Sequence, residues 1–247
     1  WRWLVFPRNV IKSMSGVMFH ANPWVHARLD EKGQLIERPN LCPDEKSLYK
    51  LCDIDFLMAT FGKDEVVQIL FADRTGKVLS RDVMDRAISA TGLREADFSS
   101  EKAIKATANR LLHTYAIRVG MRVMDRLDEY CRARGKKLMV LLSYPVGSVW
   151  HACNRTPPGD PDNVDWHPQM FKDHLNERKI PFVDTVQKHV AEFKTFKATA
   201  KEYVDRYYIG HYNPKGNHFF AYAVKDEILA WLSPKPPAYR NDGDPLI

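Results

Sequence analysis

LLHTYAIRVGMRVMDRLDEYCRARGKKLMVLLS, residues 111–143, holds the change of pattern that decides how the chain reads as a fold. Leu112, Tyr115, Val119, Val123, Leu127 and Cys131 recur every three or four positions, the spacing that puts apolar side chains on one face of a helix. The pattern sharpens from Ser99 onward and predicts one long amphipathic helix. Gly135 can supply the positive φ that closes it. Directly afterwards 138–143, LMVLLS, is a short unbroken apolar run of the kind that a strand buried on both faces requires.

The same order then repeats toward the C-terminus. A loop rich in Pro, Gly and Asp (144–166) leads into a helix near 167–178, and IPFVD (180–184) is a second brief apolar run. Helices resume at about Thr185. The last one begins at Pro214, because Asn213 can accept from free N–H groups at a helix start and Pro214 fits a first-turn position that needs no donor. Helix, strand, loop, helix, strand, loop, helix is the alternation of βαβ units. The expected fold is therefore α/β, a parallel sheet flanked by helices in a flavodoxin-like three-layer arrangement, and an incomplete domain. Ligands of such sheets bind beyond the carboxyl ends of the strands, so Asp184 and the loop after Ser143 are expected on the ligand side. His211 joins them if the segment before it crosses under or beside the sheet.

Upstream the pattern is weaker. The first 60 residues carry many aromatics and prolines with no long period, and read as irregular with a small hairpin around Asp30 to Gly33. VVQILFA (66–72) reads as a strand, although its length does not separate it from a buried helical piece. The stretch 82–91 looks helical. The expected division is an irregular insertion or cap over 1–98, the α/β core over 99–235 and a loosely held tail over 236–247, with Pro234, Pro236 and Pro237 ending the last helix.

Composition excludes several function classes. The 37 Lys and Arg exceed the 31 Asp and Glu by only 6 across 247 residues, and they are dispersed. The densest run, RARGKK at 132–137, reads as a solvated helix end, and no basic stripe interleaved with aromatics accompanies it, so no nucleic-acid partner is expected. No apolar run approaches the roughly 18 residues of a membrane span, and no signal peptide is visible. A chain that begins at Trp1 is expected to be a fragment or a processed product. Cys42, Cys52, Cys131 and Cys153 lie 10, 79 and 22 positions apart, which matches neither a zinc pattern nor a dense disulfide framework, although a Cys42 to Cys52 bridge is conceivable. His151, Cys153, His167 and His174 are likewise not spaced as a zinc site, and no metal is expected.

One block singles out a histidine. Gly210, His211, Tyr212, Asn213, Pro214, Lys215, Gly216, Asn217 and His218, with Ala221 a turn later, resemble the last conserved block of the SGNH, or GDSL-type, serine hydrolases, a histidine followed by a short N-x-x-G turn and a closing helix. The similarity covers residues 99–232 in the order of segments and about 207–224 in motif. It implies that His211 is the general base and acid of an ester hydrolase that needs no cofactor. The implied substrate is a small-molecule or carbohydrate ester, such as an acetyl ester on a sugar. The chemistry agrees with the residue type: a serine hydroxyl is a weak nucleophile near neutral pH, and an imidazole titrates in the range needed to take its proton. Asn213 and Gly216 read as architecture, a cap and a close-approach position, and His218 as structural.

The family's other blocks are not matched. No Gly-Asp-Ser occurs: Gly159 and Asp160 are followed by Pro161, and Gly243 and Asp244 by Pro245. The orienting acid three positions before the histidine would be Tyr208, and Asp205, six before, could serve only if the chain turned back. Ser143 lacks the sharp elbow that exposes a nucleophile, and Ser13 and Ser15 fit less well. Asp184 could orient a group in the site or simply cap the next helix. Either the serine block lies upstream of Trp1, or the chain is a relative without the full machinery, a non-catalytic domain that binds a saccharide or protein partner through its aromatic-rich first third.

Overall fold

Helices set off by their capping residues dominate the computed structural model, which describes residues 26–38, 46, 49–154, 168–232 and 234. The described residues fall into two units, 26–138 with 168–181, and 139–154 with 182–232.

In the first unit β1 (His26–Leu29) and β2 (Leu35–Arg38) form an antiparallel hairpin. Its turn follows from two residues. Asp30 Oδ1 accepts from the Lys32 and Gln34 N–H groups at 2.9 and 2.8 Å, and Gly33 takes the φ of 69° that a side chain would strain. After a 3₁₀ turn at Lys50–Cys52 come α1 (Ile54–Phe61), α2 (Glu65–Thr75), α3 (Arg81–Thr91) and the long α4 (Glu101–Ala133). Asp53, Asp64, Ser80 and Ser100 cap the four helix starts through their side chains. Ile69, Met84, Leu111 and Tyr115 meet in the core. The last helix of this unit, α6 (Pro168–Glu177), packs against α4.

The second unit holds β3 (Val140–Leu142), α5 (Val146–Asn154), β4 (Phe182–Asp184), α7 (Thr185–Phe193), α8 (Ala200–Tyr207) and α9 (Pro214–Trp231). β3 and β4 pair in parallel, Val140 opposite Phe182 and Leu142 opposite Asp184, and the Thr185 hydroxyl donates to the Leu142 carbonyl just beyond them. The hairpin at 30–33, the long helix ending before Gly135, both short strands and the helix start at Pro214 lie where the residue pattern put them.

The architecture does not. The expected parallel sheet flanked by helices in a flavodoxin-like, three-layer arrangement is overturned: the fold is mainly helical, and its described strands make two two-stranded sheets, one of them antiparallel. The apolar runs 138–143 and 180–184 form strands of only three residues each, with no third strand paired to either among the described residues. The run 66–72 is helix, not strand. Asp64 Oδ1 accepts from the Val66 and Val67 N–H groups at 3.0 and 3.1 Å, and Gly76 ends the helix at φ 67°. Val66, Ile69 and Ala72 then bury at threefold spacing, a helical stripe that local apolarity concealed. No helix among the described residues is long and apolar enough to cross a membrane. The aromatic-rich residues 1–25, Cys42 of the conceivable bridge and the tail at 239–244 lie outside the described residues.

Candidate functional site

His211 stands at the tip of a tight reversal between α8 and α9, and each step of that reversal has a local cause. Thr199 starts α8 with a reciprocal box, its hydroxyl oxygen accepting from Glu202 N–H at 3.2 Å while its own N–H donates to Glu202 Oε2 at 2.8 Å. The helix stops at Tyr208, whose backbone is extended. Gly210 then adopts φ 85°, so the chain folds back on itself: Ile209 N–H donates to the His211 carbonyl at 2.8 Å, and Tyr208 bridges to Tyr212. Asn213 seals the far side. Its Oδ1 accepts from Gly216 N–H at 3.0 Å as the cap of α9, and its Nδ2 donates to the Arg206 carbonyl at 2.9 Å. At Gly216 a Cβ would stand 2.3 Å from the Tyr207 carbonyl oxygen, so only glycine allows α9 to begin this close to the end of α8.

Beneath the turn lies a buried polar chain that the residue pattern did not announce. His189 of α7 is fully buried, its Nδ1 3.0 Å from the Tyr203 hydroxyl and its Nε2 2.7 Å from that of Tyr212. The Tyr203 hydroxyl spends its proton on Glu192 Oε2 at 2.6 Å, so it can only accept from the imidazole. Nδ1 therefore carries the ring proton, and Nε2 accepts from Tyr212. The Tyr207 hydroxyl donates to the other oxygen of Glu192 at 2.9 Å. The ring also stacks on Phe219 of α9 with centroids 4.1 Å apart. Burial pushes the His189 pKa down to about 4, which keeps it neutral, and burial with the Glu192 carboxylate nearby raises those of Tyr203 and Tyr207. Since its members come from α7, α8, the 208–212 turn and α9, this network fixes the platform that carries His211.

His211 itself is exposed. Its Nδ1 lies 2.9 Å from the Tyr212 carbonyl oxygen, which can only accept, so in the neutral ring Nδ1 bears the proton and Nε2 keeps its lone pair. That is the tautomer a proton-accepting imidazole needs. A backbone carbonyl, which carries no formal charge, thus orients the ring.

The remaining candidates are distributed differently. Asp205 pairs with Lys201 on its own helix, and the Tyr208 hydroxyl donates to the Tyr144 carbonyl at 3.3 Å, so neither orients His211. Asp184 caps α7 through the Val186 N–H at 3.2 Å, and Ser143 is half-buried after β3. Among the described residues neither a serine nor a carboxylate is hydrogen-bonded to His211. His218 is exposed on α9. His151 and Cys153 are on α5, where burial pushes the Cys153 thiol up to about 11, away from thiolate reactivity. His174 belongs to the other unit, 2.8 Å from Asp125. Among the described residues no group of three or more ligating side chains could hold a metal ion. His167, Ser13, Ser15, Gly159 and Gly243 lie outside them. The tyrosines at 203, 207 and 212, spaced by four and five, were the available sign of the buried network. Comparison of the chain with protein-family models, with curated proteins and with solved structures found no match.

Proposed function

We propose that this chain supplies the general base and acid of an ester hydrolase, His211, which acts on a serine hydroxyl from outside the described residues. Nε2 takes the serine proton as the oxygen attacks the ester carbonyl carbon, then returns it to the departing alcohol as the acyl-serine forms. Water repeats the cycle to release the acid. The substrate class is a small acyl ester, such as an acetyl ester of a sugar.

The supporting observation is the pairing of Nδ1 with the Tyr212 carbonyl on an exposed ring, which leaves Nε2 as the acceptor at the rim of a turn made rigid by Asn213 and Gly216. An imidazole held in this way differs from a turn histidine whose two nitrogens are both consumed. The test has two readouts in the full-length protein. A fluorophosphonate should label one serine, located by peptide mapping, and His211→Ala should lower 4-nitrophenyl acetate turnover by at least about 10³-fold with helicity unchanged. Turnover that survives the substitution rules the proposal out.

A further inference from the structure

The first unit contains a cavity of about 370 Å³ lined by Arg118, Met121, Arg122, His174, Glu177 and Arg178. Its walls follow from helical spacing. Arg118, Met121, Arg122 and Asp125 recur along one face of α4, and His174 and Glu177 share a face of α6 with Arg178 just past its end, so packing the two helices brings three guanidiniums together.

One carboxylate anchors two of them. Asp125 accepts from Arg178 Nη2 at 3.3 Å, from Arg122 Nη1 at 3.3 Å and from His174 Nε2 at 2.8 Å, with Arg178 Nε 3.0 Å from its other oxygen, and both Asp125 and His174 are largely withdrawn from water. Arg122 Nε is further held by the Gly33 carbonyl at 2.9 Å. Arg118 differs: its Nε is buried and has no hydrogen-bond partner among the described residues. A buried donor on a charged group left unmatched costs far more than a matched one, and a water, an ion or a ligand can meet it. Among the described residues that line or anchor the cavity, three guanidiniums face two carboxylates, Asp125 and Glu177, which leaves an excess of positive charge.

We propose that this cavity binds the phosphate group of a small phosphate monoester, Arg118 making the primary contact and Arg122 and Arg178 the flanking ones. A carboxylate offers two oxygens in one plane and is saturated by a single guanidinium fork. A tetrahedral dianion presents oxygens in several directions and suits guanidiniums that converge from two helices. The volume holds such a group together with a compact organic body. The inference is independent of the ester-hydrolysis proposal, because every residue in it belongs to the other unit.

Isothermal titration of the whole chain at constant ionic strength, first with inorganic phosphate and then with phenyl phosphate, tests it. Saturable binding is expected, tighter for phenyl phosphate, and roughly 10- to 100-fold weaker in Arg118→Gln, the loss set by one charge-assisted contact. Arg178→Gln, half-exposed just past the end of α6, should weaken it as well and serves if the first variant fails to fold. Arg81→Gln on α3, where Arg81 pairs with Asp85, should bind as the parent does. Absence of saturation at about 10 mM phosphate, a Kd too weak for a built site, overturns the proposal. So does binding undiminished in Arg178→Gln, or acetate competing as well as phosphate.

Discussion

Acidifying the protein from pH 7 to pH 5 should cost the fold about 2 kcal/mol through His189 alone. The folded ring has its pKa lowered from 6.5 to about 4 because burial penalises the imidazolium, and no carboxylate touches it to offset that penalty. The unfolded chain takes up a proton as pH falls below about 6.5, while the folded chain refuses it until about 4. Stability from this group is thus fully present above the unfolded value and drains away as pH falls between the two. The complete shift is worth about 3 kcal/mol at roughly 1.4 kcal/mol per unit, and most of it is spent by pH 5. Protonation would also force Nε2 to donate where Tyr212 now donates, so the network cannot relax by a simple flip. Urea unfolding at pH 7, 6 and 5 measures the slope, and His189→Gln, whose amide donates and accepts without titrating, should remove about 2 kcal/mol of it. An NMR titration of the His189 Cε1–H resonance checks the same quantity directly. Equal pH slopes in parent and variant, or a titration near 6.5, would refute the reasoning.

Further outcomes follow from the same geometry. Gly216→Ala drives a methyl group to 2.3 Å from the Tyr207 carbonyl oxygen, a backbone atom that cannot step aside, and should destabilise the protein by roughly 1–3 kcal/mol in urea unfolding. Tyr115→Phe removes a buried hydroxyl that donates to Glu65 Oε1 and accepts from Leu29 N–H, both at 2.8 Å, leaving the Leu29 N–H without its acceptor and Glu65 Oε1 with Arg38 Nη2 at 3.2 Å. A loss of about 1–3 kcal/mol is expected by the same measurement, with the hairpin amides losing hydrogen-exchange protection.

Local chemistry was readable in the letters wherever a single residue type has few alternatives. Asn213 and Pro214 marked the start of α9, Gly135 lay just beyond the end of α4, Asp30 and Gly33 marked a hairpin turn, and Gly216 read as a close approach. The short strands at 140–142 and 182–184 lie inside brief apolar runs of the kind that a buried strand requires and a buried helical piece can share. What such runs pair with is a different matter. Sheet size depends on how many distant segments hydrogen-bond edge to edge, and βαβ-like alternation is equally compatible with two strands enclosed by helices. The run 66–72 shows the same gap. Its apolarity is common to strand and helix, and the Asp64 cap, the Gly76 stop and the burial of Val66, Ile69 and Ala72 together select the helix.

The site divides along the same line. The turn that presents His211 was written in the chain, since caps and glycines act over three or four residues. The tautomer of His211, the neutral His189 beneath it and the arginines gathered between α4 and α6 were not. Those depend on which side chains meet across separations of tens of residues, where burial sets the strength of every charge and hydrogen bond, and that is decided only when the helices pack.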